Sequence, residues 1–104
     1  MLLRRGTTPT ITCNIQEDID LTQITDAWLY ISQGGKLVVD REIADLVIDP
    51  EKHTIKATLT QEETLSAKEG LAKIQLRLKT TDNMALGSED TNVCFLPIYK
   101  EGEI

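Results

Sequence analysis

The segment from Thr60 to Glu89 constrains the fold of this chain more than any other part. It reads TQEETLSAKEGLAKIQLRLKTTDNMALGSE: a short acidic turn, an alternating strand, a polar turn and the start of a returning strand. Within the strand, apolar Ile74, Leu76 and Leu78 alternate with charged and polar side chains, the period of a strand wetted on one face. Because such a strand must pair with neighbours and bury its other face, the segment predicts a mostly β protein.

A capping box stands before this strand. The Thr60 side chain can accept a hydrogen bond from the amide of Glu63, and the Glu63 side chain can reach back to the amide of Thr60. We therefore expect one short helical turn near residues 61–67, ended before Gly70, with Leu65 filling the core.

Period-two patterns recur along the rest of the chain. They predict strands at residues 8–15, 27–33, 36–40, 46–48, 53–59, 71–80 and 91–99, with a returning segment at 84–87. Gly34 and Gly35 supply positive φ between two of these runs, which predicts a two-residue hairpin turn. With turn signals about every 8–12 residues, the pattern predicts one domain over residues 1–104, an all-β antiparallel sandwich of about seven short strands.

Charge and composition exclude several classes of function. The net charge of −6 repels phosphate backbones and anionic lipid surfaces, so we expect neither nucleic acid nor a membrane as partner. The sequence has no run of about 18 apolar residues and no apolar region after its first arginines, so we expect no membrane span and no signal peptide. The prediction is a chain that is cytoplasmic at synthesis.

Two cysteines and one tryptophan invite comparison with a disulfide-bridged sandwich domain. The tyrosine expected two residues before the second cysteine is absent, because Asn92 stands there. We expect Cys13 and Cys94 to be unpaired, buried and small hydrophobes; a disulfide or a reactive thiol is the alternative.

No constellation in the sequence predicts catalysis. Asp49, Glu51 and His53 alternate at a turn and resemble half of a metal site, but this pattern is more typical of a solvated turn. His53 is the single histidine, which removes most routes to acid–base or triad chemistry. We therefore predict no catalytic residue, no metal and no cofactor.

Two regions are candidates for binding. Trp28 and Tyr30 alternate on one strand, a pattern typical of core and cross-strand packing; a platform for stacking a sugar is the alternative, and it would require exposed rings.

The second region comprises the basic start and the last strand. Arg4 and Arg5 stand opposite an acidic end with Glu101 and Glu103, so the two ends could pair between copies. Frayed, solvated termini are the alternative. Residues 91–99 carry apolar side chains on both faces: Val93, Phe95 and Tyr99 on one; Cys94, Leu96 and Ile98 on the other. Either the strand is central, or the second face is an interface; as an edge strand it could also accept a strand from a partner.

Four motifs resemble a known family. RGTTPTITCNI, LTQEETLSAKEG, IQLRLKTTDNMALGSE and the tail KEGEI are similar, in order and spacing over nearly the whole chain, to small proteins encoded in prophage tail regions of Gram-positive bacteria. They also resemble the amino-terminal module of phage baseplate upper proteins. The matching positions are residues 5–10, 60–65 and 75–81.

The resemblance implies an immunoglobulin-like β-sandwich without enzymatic activity. It implies an assembly role in a phage tail or baseplate, with other tail proteins or further copies of the chain as partners, and a place in the virion. Two other hypotheses stay open at this point: a carbohydrate- or receptor-binding module that uses Trp28 and Tyr30, and a metal-dependent enzyme or regulator that uses Asp49, Glu51 and His53.

Overall fold

The structure is a computed structural model that describes residues 1–88 and 91–104. Glu89, the last residue of the segment that opens the sequence analysis, lies outside the described residues. The strands are β1 (Leu2–Arg4), β2 (Thr10–Asn14), β3 (Ile24–Gln33), β4 (Lys36–Glu42), β5 (Val47–Asp49), β6 (Thr54–Thr58), β7 (Gly70–Thr80), β8 (Ala85–Gly87) and β9 (Thr91–Leu96). Helix α1 spans Gln61–Ser66, and 3₁₀ turns span Leu21–Gln23 and Ile43–Asp45.

The strands form two sheets. The larger has the order β1-β9-β7-β3-β4, with β8 also paired to β7, and the smaller has the order β2-β6-β5. All pairs are antiparallel except β1 with β9, which is parallel. The predicted all-β sandwich and its single short helix are confirmed, and the parallel pair is the departure from the expected antiparallel pattern.

The core lies between the two sheets and is mostly aliphatic. On β7 the predicted inward residues Ile74, Leu76 and Leu78 are all buried, and Ile11 and Ile55 meet them from the smaller sheet. The buried aromatic ring of this core is Phe95.

Both local predictions around the turns are confirmed. Gly34 and Gly35 have φ of +59° and +81°, and Gln33 pairs with Lys36 across them, as a tight hairpin requires. At α1, the Thr60 side chain accepts from the amide of Glu63, and Glu63 accepts from the amide of Thr60 at 2.9 Å. Arg41 of β4 donates to the same carboxylate and holds the pKa of Glu63 below its usual range.

The prediction that Leu65 fills the core is wrong. Thr64 and Ala67 are the buried residues of this segment, whereas Leu65 is half-buried. The Leu65 side chain lies over Gly6, where an added Cβ would be 3.4 Å from it. The helix therefore packs Leu65 on the link between the sheets instead of between them.

The last strand is shorter than expected, and its place in the sheet is the central one of the two alternatives. It ends at Leu96, one residue before Pro97, which has no backbone donor to continue the ladder. Val93 and Phe95 point into the core as predicted, but Tyr99 is 99% exposed, so its predicted place on their face is wrong. Strand β9 lies between β7 and β1, so it is covered along both sides and is not an edge.

The first residues form a strand that the sequence analysis missed. Strand β1 pairs with β9 through Leu2–Cys94, Leu3–Phe95 and Arg4–Leu96, and Leu3 is buried. Three residues are too few to show a period-two pattern, which is why the sequence signal failed here. The start of the chain is thus part of the sandwich and is not frayed.

Replacing Leu3 with alanine should lower the free energy of unfolding by about 2–3 kcal/mol, since the change removes a buried side chain that the core cannot easily refill. Chemical denaturation measures this. Leu2→Ala is the matched control on the same strand, and because Leu2 is exposed its effect should stay within about 0.5 kcal/mol. Equal effects of the two variants would contradict the placement of β1.

Candidate functional site

The surface of the larger sheet that points away from the smaller sheet carries exposed apolar side chains. Alternation along β3 buries Ala27, Leu29 and Ile31 and turns Trp28 and Tyr30 outward. Trp28 is 45% exposed and Tyr30 is half-buried. The expected packing of this pair in the core is therefore wrong, whereas the expected cross-strand packing is confirmed by their pairs with Arg77 and Gln75. The exposure that a binding platform requires is met at Trp28.

We call this surface the outer face. Its side chains include Leu2 of β1, Asn92, Cys94 and Leu96 of β9, Leu71, Lys73, Gln75 and Arg77 of β7, Trp28, Tyr30 and Ser32 of β3, and Leu37, Asp40 and Glu42 of β4, as the strand registers place them.

One end of the outer face is built around Trp28. Its cross-strand neighbours are Glu42 on β4 and Arg77 on β7. The Arg77 guanidinium carbon lies 5.3 Å from the centre of the indole ring, in range for a cation–π interaction. The next pair along the sheet is Tyr30 and Gln75, joined by a hydrogen bond from the Tyr30 hydroxyl. An aromatic ring with a stacked guanidinium is thus fixed between acidic side chains of β4 and basic side chains of β7.

The other end of the outer face is aliphatic. The register aligns Leu2, Cys94 and Leu71 across β1, β9 and β7. Leu2 is 68% exposed and Leu71 is 73% exposed, with Cys94 half-buried between them. A shallow recess of about 460 Å³, lined by Tyr30, Gly35 and Leu71 among others, joins this end to the aromatic end.

Several of these residues escaped the sequence analysis although a signal for them exists. The side chain of Leu71 points to the same face of β7 as those of Lys73 and Arg77, so it is an apolar side chain on the polar face of the strand. Leu37 is likewise exposed and pairs with Ser32. An apolar residue in the polar phase of an alternating strand is the pattern that would have revealed both.

The predicted interface residues of the last strand divide between two places. Cys94 and Leu96 lie on the outer face, both half-buried. Ile98 lies beyond the end of β9 and, like Leu65, packs over Gly6 at 3.4 Å from the position of an added Cβ. Ile98 is therefore a packing residue of the link between the sheets.

The arginines at the start of the chain bind inside the same molecule. The Arg5 side chain donates to the carbonyls of Leu65 at 2.9 Å and Ala67 at 2.6 Å, and forms a salt bridge with Glu101 at 2.6 Å. Arg4 donates to the carbonyl of Pro97 at 2.8 Å. The basic start and the acidic end do pair, but within one chain; pairing between copies stays a prediction.

The turn at residues 49–53 is organised by His53 itself. Its two ring nitrogens each lie 2.8 Å from a main-chain carbonyl oxygen, Nδ1 from Ile15 and Nε2 from Ile19. Since carbonyl oxygens only accept, both hydrogen bonds exist together only when both nitrogens carry protons. These bonds, the one to Ile19 first, raise the pKa of His53 above its ordinary value.

The geometry of this turn does not support the metal hypothesis. A ring nitrogen that donates to a carbonyl has no lone pair for a metal, and a carboxylate oxygen of Asp49 accepts from the amide of Lys52 at 3.2 Å. Within residues 1–88 and 91–104, no group of three histidine, cysteine, aspartate or glutamate side chains could hold an ion.

Both cysteines are free, as predicted. Each is half-buried, so the expected full burial is only partly met. Cys13 packs against the core, and burial raises the pKa of its thiol, which disfavours the reactive thiolate.

Comparison with known proteins identifies the fold. No family model matches the chain, and no curated protein matches its sequence. Among solved structures it is similar to CopC from Methylosinus trichosporium OB3b, at 12% identity over 96% of this chain and 88% of that one, with a TM-score of 0.58. It is also similar to the immunoglobulin-like domain of mouse leukocyte-associated immunoglobulin-like receptor 1, determined as a strand-swapped dimer, at 11% identity over 92% and 86%, with a TM-score of 0.51.

At these identities the similarity shows the fold alone. The chain is an immunoglobulin-like β-sandwich, as the sequence analysis predicted. No helix in the described part of the chain is long and apolar enough to cross a membrane.

We call the two hydrogen bonds from the His53 ring to the carbonyls of Ile15 and Ile19 the His53 clamp. The clamp predicts that the stability of the fold decreases as the pH rises. Because folding raises the pKa of the ring, the contribution is fully present below the ordinary value of about 6.5 and is lost as the pH rises through the folded-state pKa. Thermal unfolding of the wild type between mildly acidic and alkaline pH should show this loss.

The matched variant for this test is His53→Asn. His53 has φ of +57°, and asparagine tolerates this conformation better than most residues, so the variant removes the ring without forcing the backbone. Its melting temperature should be lower than that of the wild type at mildly acidic pH, and the difference should shrink as the pH rises. Parallel curves for the two proteins would rule out the clamp.

Proposed function

We propose that this chain is a non-enzymatic assembly protein that acts by binding another protein chain through the outer face. The observation that carries the proposal is the exposure of Trp28, Leu71 and Leu2 together on one rigid sheet surface. Exposed apolar side chains that share one face of a sheet indicate an interaction site more strongly than scattered ones do.

The chemistry of the outer face suits a protein partner. Tryptophan, tyrosine and arginine are the residues most enriched at the energetic centres of protein interfaces, and Trp28, Tyr30 and Arg77 lie side by side here. Asp40 and Glu42 on β4 border this centre and would form part of a charged rim that selects and orients the partner.

The non-enzymatic part of the proposal is supported by how the single histidine is used. Both nitrogens of His53 are bonded to main-chain carbonyls, so the ring is a structural clamp and not a general base. The raised pKa of the Cys13 thiol likewise disfavours a nucleophilic role.

The setting we propose is a phage or prophage tail or baseplate, with synthesis in the cytoplasm and assembly into the virion. It rests on the resemblance of residues 5–10, 60–65 and 75–81 to tail-region proteins. The first two segments are the link between β1 and β2 and the cap of α1, which have scaffold roles here. The third contains Gln75 and Arg77 of the outer face, so one resembling motif contributes directly to the proposed interface.

A carbohydrate- or receptor-binding module is the second candidate, and the exposure of Trp28 favours it. A sugar would stack on the indole and bond to Asp40 or Glu42, which line a recess with Trp28. The guanidinium of Arg77 already lies over this ring, and the Tyr30 hydroxyl is bonded to Gln75. A sugar would have to displace the guanidinium if it stacked on the same ring side, whereas a protein surface could pack around both groups.

Incorporation into particles tests the proposed function. In the phage or lysogen that encodes the chain, a deletion complemented by the wild type should give particles that contain the polypeptide by mass spectrometry. Trp28→Ala combined with Leu71→Asp should abolish incorporation, because loss of a central aromatic anchor alone costs roughly 2 kcal/mol or more. Val47→Asp is the control, since Val47 is 64% exposed on the smaller sheet. Absence of the wild-type polypeptide from particles would refute the phage setting.

The fluorescence of Trp28, the single tryptophan, distinguishes the two candidate functions in solution. Light scattering at low and high salt, with or without copurified tail proteins, should show association. In the same samples the Trp28 fluorescence emission should shift to shorter wavelength, because the partner excludes water from the ring. A shift produced by simple sugars, and by no protein, would favour the carbohydrate-binding candidate.

A further inference from the structure

A second surface, separate from the outer face, lies along the open edge of the smaller sheet. Strand β2 pairs with β6 on one side and with no strand of the described residues on the other. Ile15 donates to the carbonyl of His53, and Leu59 donates to the carbonyl of Pro9. These two bonds show which residue pairs are hydrogen-bonded in this antiparallel ladder. The backbone N–H and C=O groups of the odd-numbered residues of β2 therefore point toward β6.

The even-numbered residues of β2 therefore direct their backbone groups outward. Thr10, Thr12 and Asn14 each present an N–H and a C=O to the open side, and none of these groups has a hydrogen-bond partner among the described residues. A row of aligned donors and acceptors is a template for another extended chain.

The other edges of the sandwich are protected and β2 is not. Strand β4 carries Lys36, Asp40, Arg41 and Glu42 and contacts α1, while β1, β5 and β8 have only three residues each. Charge and shortness are the usual means of blocking unwanted strand pairing. Strand β2, of sequence TITCN, has five residues and no charge or proline.

A groove lies directly beside this edge. Its volume is about 610 Å³, and Met1, Ile74, Leu76 and Thr91 of the larger-sheet side line it opposite Thr12 and Asn14. Immunoglobulin sandwiches of the constant type have a first strand beside the strand equivalent to β2. In this chain β1 pairs with β9 instead, which leaves that position beside β2 open.

We propose that the β2 edge accepts an extended segment of a different protein, which adds one strand to the smaller sheet. Alternate side chains of the segment would enter the groove over Ile74 and Leu76, and its backbone would pair with Thr12 and Asn14. Glu17 lines the groove and Asp18 follows it in the chain, so the end of the segment near them carries a basic residue.

A second copy of the chain fits this position less well than a separate segment. The groove is bordered by Met1 and Thr91, which belong to the β1–β9 side of the larger sheet, so that sheet flanks the β2 edge. A single extended segment would occupy only the groove, whereas a whole second sandwich would bring two such sheets together. Each copy would also bring its own Glu17 and Asp18 and a net charge of −6.

Short synthetic peptides test the proposal. The probes are seven-residue peptides, acetylated and amidated, with alternating threonine and a varied apolar residue and with lysine at one or both ends; the matched set has glutamate in place of lysine. Amide hydrogen exchange, followed by NMR on the full chain, reports where they bind. In the free protein the amides of Thr12 and Asn14 should exchange quickly and that of Cys13 slowly; bound peptide should slow the first two.

The variants Thr12→Pro and Thr12→Ala separate the contribution of the Thr12 backbone N–H to peptide binding from that of its side chain. Proline removes the outward N–H of Thr12, which is not hydrogen-bonded to β6, so the variant should still fold. A thermal melting curve checks this. Thr12→Pro should weaken peptide binding about tenfold, since it leaves an acceptor unmatched, and Thr12→Ala should not. The lysine peptides should bind more tightly than the glutamate set, and salt should reduce the difference.

Three outcomes would overturn the proposal. In the first, no peptide of the panel protects Thr12 and Asn14 at millimolar concentration. In the second, binding is equal in Thr12→Pro and wild type, or protection falls on β4 or the outer face. In the third, Thr12 and Asn14 are protected without peptide in a dimer seen by light scattering, which would make a second copy the occupant.

Discussion

Only one face of strand β7 can be exposed to solvent, and the strand pairing in the rest of the sandwich depends on this constraint. Its inward side chains, Ile74, Leu76 and Leu78, are buried against the smaller sheet, and a slip of one residue would exchange them for lysine, glutamine and arginine. The register of β7 therefore sets the registers of β3, β8 and β9, all of which pair with it. Through β9 it also fixes β1, and through β3 it fixes the hairpin that adds β4.

Sequence reasoning succeeded where a signal is local and failed where it depends on distant partners. The alternation of β7, the Gly34–Gly35 turn and the Thr60–Glu63 cap each lie within a few residues, so the fold class could be predicted. Strand β1 could not be predicted because three residues are too few to show an alternation of apolar and polar side chains. The sequence leaves open whether β9 is a central or an edge strand, because only the pairing of Leu2 with Cys94 shows what covers it.

The candidate site was only partly predictable, for the same reason. Trp28 and Tyr30 stood out by residue type, but their exposure depends on which face of the larger sheet meets the smaller one. The polar phase of β3, with Asp26 and Ser32 beside the rings, was the available clue. The roles of Arg5 and His53 were out of reach, because each binds main-chain carbonyls whose positions only the folded chain defines.

The parallel pairing of β1 with β9 has a mechanical consequence. Two parallel strands at opposite ends of a chain sequence are drawn past each other, along their length, when the chain is pulled by its termini. The hydrogen bonds from Cys94 to Met1 and from Arg5 to Leu96 then carry the load together in shear, instead of opening one after another. Once the contacts of Glu101 with Arg5 and of Ile104 with Gln61 have opened, a tensile force entering through both ends would act on this short ladder, with Leu3 buried behind it.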